Sequence, residues 1–261
     1  MPNRFKDRLT SGPAQFGSFA SLCSPLAAEA LACHGFDFVL ADLEHAQNDI
    51  STLVGLLQGI EAGGAEPVVR VPWNDLVWIK RVMDAGGRSI MVPFVQSPDE
   101  ALRAARAMRY PPEGDRGVAM VTRASRFGAR PDYAAKANGE ACLIVQTETA
   151  HAVDQIAAIA RVPGVDAIFI GPSDLAASMG HTGNIQHPDV RAKIADGLTV
   201  AKRSKIPIGC LGTSPAECIA LKKQGFNFVL LGTDLGMLVR QIKADIAALV
   251  ADGWTPGAPR G

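Results

Sequence analysis

Short β-branched and apolar runs alternate with longer segments of helical period along the whole 261-residue chain, and no linker interrupts them. Eight strand candidates emerge, at residues 14–20, 36–42, 66–72, 89–95, 141–148, 166–172, 206–212 and 226–232. Between them lie helical segments such as SPLAAEALACHG, SPDEALRAARAMRY, HAVDQIAAIARV and SPAECIALKKQG. Several open with Ser-Pro and close near Gly. That pattern supplies an acceptor for orphan amides, a preset φ at the first helical position, and a residue tolerant of left-handed backbone at the end. Eight β/α units match a closed parallel barrel, whereas a doubly wound sheet needs another strand count and a crossover. The expected fold is a single α/β domain over residues 1–261, a (β/α)8 barrel. Only the tail GWTPGAPRG, residues 253–261, reads as poorly ordered.

Charge narrows the partners. Twenty-six basic residues balance twenty-six acidic ones, so the chain lacks the positive field that nucleic acid or an anionic membrane favours. A small-molecule partner is expected. MPNRFKDRLTSG carries no apolar signal core and no apolar run approaches a bilayer span, which points to a soluble cytoplasmic protein. The five cysteines are odd in number and form neither a CxxC pair nor a zinc cluster, so packing roles are expected.

In a barrel, side chains at the carboxyl ends of strands converge on one mouth. Asp42, Glu44 and His45 end the second strand candidate, Arg70 the third and Glu148 the fifth, while Asp174 follows the sixth. Glu148 and Asp174 could share a hard divalent ion such as Mg²⁺ or Mn²⁺, or could be two solvated carboxylates near helix N-termini; spacing leaves both readings open. His45 could cap the following helix. With Asp42 or Glu44 accepting from one ring nitrogen, its other nitrogen could act as a general base. Arg70 in VVRVP is expensive without an anionic partner, so it either forms a structural ion pair or donates to an oxygen on which negative charge develops. Asp84 in KRVMDAGG could position either group or simply end its helix. The Gly171-Pro172-Ser173 turn offers backbone amides to a carboxylate or phosphate, and a 2-oxo acid would use this cradle and a metal together. No lysine ends a strand, which disfavours a Schiff base and favours activation of a ketone by metal coordination.

DLEH, VRVP, MDAGG, MVPFV, YPPEGDRGV, RASRFG, QTET and GVDAIFIGPSDLAASMGHTGN occur in the order seen in HpcH/HpaI-type class II pyruvate aldolases, and the resemblance spans residues 3 to about 250. It implies a metal-dependent (β/α)8 enzyme that reversibly cleaves 4-hydroxy-2-oxo acids, such as 4-hydroxy-2-oxoheptanedioate or 2-keto-3-deoxy sugar acids, to pyruvate and an aldehyde. By that resemblance Glu148 and Asp174 hold the metal (Mg²⁺, Mn²⁺ or Co²⁺). Gln146, Gly171, Pro172, Ser173 and Leu211 contact the keto acid, with the Ser173 and Asp174 amides on its carboxylate. His45 and Asp42 form a base dyad, Arg70 stabilises the enolate, Asp84 belongs to the catalytic set, and Glu44 holds metal-bound water. A homohexamer, a trimer of dimers with the C-terminal helix exchanged between subunits, is also implied. Phe19 stands where many relatives carry Trp, and Ala41 where a larger aliphatic residue is common; both bear on pocket shape. An acyl-CoA lyase of the citrate-lyase β type and a non-catalytic keto-acid-binding protein are the alternatives.

Overall fold

The computed structural model describes residues 2–257; the tail residues 258–261 lie outside them, and residues 253–257 form neither helix nor strand. Eight strands close a parallel barrel in sequential order: β1 Gln15–Ala20, β2 Phe38–Asp42, β3 Glu66–Arg70, β4 Ser89–Val92, β5 Cys142–Thr147, β6 Ala167–Ile170, β7 Ile208–Gly212 and β8 Phe228–Thr233. Among the described residues twelve helices accompany them. They are α1 Arg4–Ser11, α2 Pro25–Cys33, α3 Ile50–Gly63, α4 Leu76–Asp84, α5 Pro98–Ala107, α6 Tyr133–Glu140, α7 Ala150–Asp154, α8 Ile156–Ile159, α9 Pro172–Ser178, α10 Pro188–Ser204, α11 Pro215–Gln224 and α12 Asp234–Ala251. All eight strand candidates are present; seven are shortened at one or both ends, and β8 starts two residues later than expected and runs one further, to Thr233. The segment expected as one helix over 151–162 is two, because the chain bends at Gln155, whose N–H is shared between the carbonyls of His151 and Ala152. The Ser-Pro starts behave as expected: Ser24, Ser97 and Ser214 each accept a main-chain N–H at the third helical position.

Strand alternation divides the core in two. Val39, Ala41, Val69, Ile90, Val92, Leu143, Val145, Ile168 and Ile170 face outward and pack against the helices. Their neighbours Phe38, Leu40, Val68, Met91, Ile144, Phe169 and Leu230 fill the barrel interior. Pattern reading gives α1 no place in the eight-unit repeat. It plugs the amino end of the barrel: Phe5 is fully buried and meets the rings of Phe38 and Phe228 edge to face, at 5.0 and 5.5 Å between centroids. Phe228 fills the space that a side chain at Gly209 would need. The interior is therefore closed below and open only at the carboxyl ends of the strands.

Five free cysteines are present, and Cys142, Cys210 and Cys218 are buried in packing positions, as expected. No helix among the described residues is long and apolar enough to cross a membrane. Removing the plug with Phe5→Ala should leave a barrel by circular dichroism but lower its stability to urea by about 3–5 kcal/mol, the usual cost of emptying a fully buried aromatic site.

Candidate active site

The inward period of two that seats Leu40, Val68 and Ile144 continues, one step further along each strand, to Asp42, Arg70 and Gln146. Apolar layers give way to polar groups where the barrel meets its mouth. A cavity of about 380 Å³ opens there, lined by Asp42, His45, Arg70, Gln146, Gly171, Pro172, Ser173, Asp174 and Leu211 among others. Its volume suits a small metabolite. Phe19, Ser21, Phe169 and Leu235 also line it. No lysine does.

Asp42 and Arg70 are direct partners in the β2–β3 register. Arg70 Nε and Nη2 donate to the two Asp42 carboxylate oxygens at 2.9 and 2.7 Å, its Nη1 lies 3.1 Å from Glu44 Oε2, and its guanidinium stacks 4.6 Å above the Phe19 ring. Burial alone would raise the Asp42 carboxyl, but the Arg70 hydrogen bonds and charge, with main-chain N–H groups from Glu44 and His45, hold it below its ordinary value. Burial would likewise lower Arg70, and Asp42 and Glu44 more than reverse it.

Glu148 is buried and pulled in two directions. Phe94 N–H donates to its Oε1 at 2.8 Å, and Gln146 Nε2 donates to its Oε2. Phe94 presents that N–H from a left-handed backbone, φ 54°, an uncommon conformation for a bulky residue. Desolvation nevertheless dominates, and with the nearby charges of Asp174 and Glu44 it pushes the Glu148 carboxyl up to about 7. Glu44 is also raised, chiefly by burial, although Arg70 and His45 oppose this. Gly171 lets β6 pass close to this acid: a Cβ there would lie 2.5 Å from Glu148 Oε2 and 3.0 Å from Gln146 Nε2.

Two expected placements differ. The imidazole of His45 does not contact Asp42, whose carboxylate is taken by Arg70; its Nε2 lies 3.7 Å from Glu44 Oε2, and Asp42 accepts only the His45 main-chain N–H at 3.4 Å. Asp84 ends α4, which runs back toward the amino end of the barrel, and there it pairs with buried Arg116 at 2.6 Å. Within one chain it reaches neither Arg70 nor His45. Buried acceptors without a hydrogen bond also collect in this region, at Gln146 Oε1 and Glu44 Oε2. All are oxygens, the donor set that hard divalent cations take.

The family model for HpcH/HpaI aldolase/citrate lyase matches residues 15–241. Over 236 residues the chain is 45% identical to the 5-keto-4-deoxy-D-glucarate aldolase of Salmonella arizonae, a match covering 90% of this chain and 92% of the relative. Among solved structures, an HpcH/HpaI aldolase/citrate lyase family protein from Burkholderia cenocepacia superposes with a TM-score of 0.91 at 39% identity, covering 95% of this chain and 99% of that one. The HpcH/HpaI aldolase from Desulfitobacterium hafniense does so with a TM-score of 0.85 at 26% identity, covering 97% and 98%. The chain therefore belongs to the HpcH/HpaI aldolase/citrate lyase family. It is a carbon–carbon lyase.

The register-fixed ion pair can be tested for its structural weight. Asp42→Ala should destabilise the protein by about 3–5 kcal/mol in urea unfolding, because it strands a buried guanidinium, while the double variant Asp42→Ala/Arg70→Met should recover a large part of that loss.

Proposed function

We propose that the protein is a class II pyruvate aldolase that reversibly cleaves 4-hydroxy-2-oxo acids, of the 2-keto-3-deoxy sugar-acid kind, to pyruvate and an aldehyde. The observation that carries this reading is the buried Glu148 carboxyl, raised to about 7 by burial and the nearby Asp174 charge and set directly behind Gln146 and Gly171 in the wall of the cavity that Arg70 and Asp174 line. The name of the Salmonella relative supports a sugar-derived acid.

Glu148 and Asp174 would hold a divalent ion, and the all-oxygen surroundings fit Mg²⁺, Mn²⁺ or Co²⁺. When bound, such an ion polarises the ketone of the substrate and lowers the barrier to losing a proton from the adjacent carbon. The chain supplies the rest. The main-chain N–H groups of Ser173 and Asp174, in the first turn of α9, receive the substrate carboxylate. Arg70 holds the oxygen that gains negative charge, its orientation preset by Asp42. His45 takes the C3 proton, with Glu44 as the carboxylate nearest its ring. Phe19, Phe169 and Leu211 form the apolar wall along the carbon chain. In the cleavage direction the C4 hydroxyl gives up its proton, directly or through water, to His45 as the C3–C4 bond breaks to leave the aldehyde and the enolate, and His45 then returns a proton to C3, releasing pyruvate.

A homohexamer with α12 exchanged between subunits is part of this proposal. In α12 only Asp234 is buried, while Leu235, Leu238, Val239, Ile242, Ile246 and Leu249 face outward. An 18-residue helix with that much exposed apolar surface needs a partner. A cytoplasmic setting fits the five free cysteines.

The direct test is to incubate the protein with Mn²⁺ or Mg²⁺ and pyruvate in D₂O and follow the methyl signal by NMR. Metal-dependent exchange is expected; binding without exchange would leave a passive keto-acid-binding protein instead. His45→Ala should slow both exchange and aldol cleavage by about 10²–10⁴-fold, the usual worth of a general base.

Metal uptake should also depend on pH with a definite sign. Glu148 must be ionised to hold a cation, so Mn²⁺ affinity, measured calorimetrically, should fall by up to about tenfold per pH unit below 7 and level off above it. Glu148→Gln should flatten that dependence and weaken binding.

A further inference from the structure

We infer that His181, His187 and Asp189 form a second metal site, suited to a borderline transition ion such as Zn²⁺, Co²⁺ or Ni²⁺ and distinct from the carboxylates at the mouth. The three offer ligand atoms that all lie within 4.8 Å of one another. His181 Nε2 and His187 Nδ1 stand 3.6 and 3.7 Å from the same oxygen, Asp189 Oδ2. The two rings stack at 3.5 Å between centroids with 13° between their planes.

Helix capping explains only part of this arrangement. His187 is the N-cap of α10 and its Nδ1 accepts the Asp189 N–H at 3.3 Å, while Asp189 is an acid in the first turn. Neither role calls for His181. That residue is brought from six positions upstream by a chain of turns: His181 N–H donates to the Ala176 carbonyl, Asn184 N–H to the His181 carbonyl, and His187 N–H to the Asn184 carbonyl. The backbone thus places a second imidazole where capping needs none.

The cap bond also fixes chemistry at His187. Accepting at Nδ1 means that this nitrogen is unprotonated, and the single lone pair it spends on the Asp189 N–H is the one an ion would take in place of that bond. A tetrahedral ion with bonds of about 2.0–2.1 Å needs its ligand atoms about 3.3 Å apart and in the plane of each ring, so binding requires the two imidazoles to rotate out of their parallel stack about their own side-chain bonds. Two imidazoles and one carboxylate select against Mg²⁺ and Ca²⁺, which take oxygen, and favour the later first-row ions. The side chains are partly open to solvent, 26%, 31% and 68% exposed, which gives an ion a path in and leaves a coordination position for water. An ion there would tie the loop between α9 and α10, and α9 carries Asp174.

The test separates this site from the mouth. In a Glu148→Gln/Asp174→Asn background, excess Mg²⁺ is added and Co²⁺ binding is followed by equilibrium dialysis and visible absorption. About one equivalent of Co²⁺ with the intense spectrum of low-coordinate geometry is expected. It should vanish in His181→Phe, which keeps a flat ring on the stack, and in His187→Asn, which keeps a cap acceptor. Circular dichroism checks that both variants fold. Absence of any Co²⁺ equivalent in that background, or an equivalent that survives both histidine substitutions, would overturn the assignment. Because the mouth carboxylates are absent from the assay, the result does not depend on the aldolase reading.

Discussion

The Asp42–Arg70 pair organises the upper barrel. Both residues occupy inward positions, directly opposite each other in the β2–β3 register, so the pairing is set by strand geometry rather than by flexible side chains. A guanidinium in that place could not be tolerated alone, and Asp42 neutralises it through two short hydrogen bonds. The pair removes Asp42 from proton chemistry by holding it ionised. It also fixes Arg70 with its remaining edge toward Glu44 and the cavity.

Charge balance follows from that commitment. Around one guanidinium stand Asp42, Glu44 and Glu148, with Asp174 adding its charge to the latter two, and Asp42 already uses most of the guanidinium. Glu44 and Glu148 feel burial and neighbouring negative charge, which is why they are raised while Asp42 is lowered. A cavity with that imbalance is costly to ionise without a further cation. The imbalance supports the proposed metal site more strongly than the sequence spacing of Glu148 and Asp174 could.

Much of the barrel was legible because its signals are local: apolar runs for strands, Ser-Pro caps for helices, and a polar residue ending each of several strands. Asp42, Arg70, Gln146, Asp174 and Leu211 all line one cavity, as their positions at strand ends imply. The failures are nonlocal. Which carboxylate His45 meets depended on the register that gives Asp42 to Arg70, and no motif in DLEH encodes the β3 alignment. Of the two readings of Asp84, the one visible within a single chain is that it ends its helix, since a helix returning along the barrel carries its last residue away from the mouth. The Phe94 N–H on Glu148 depends on a left-handed turn that a bulky residue does not announce. Likewise α1 lies outside the repeat, and only the aromatic layer at Phe38 and Phe228 reveals why the barrel needs a stopper.

Glu44 links the two halves of the proposed chemistry. Its Oε2 lies 3.1 Å from Arg70 Nη1 and 3.7 Å from His45 Nε2, between the group that would hold the enolate oxygen and the group that would take the proton. In the proposed step, proton transfer from the keto acid to His45 would create an imidazolium next to Glu44 while negative charge grew opposite Arg70. The cavity's net charge does not change in that step; charge only separates over a few ångströms, between partners already in place. A preorganised arrangement of this kind reduces the reorganisation that bulk water would require. The proposed step would be assisted because both poles of the new dipole would meet fixed countercharges, with Glu44 serving one and Arg70, aligned by Asp42, serving the other.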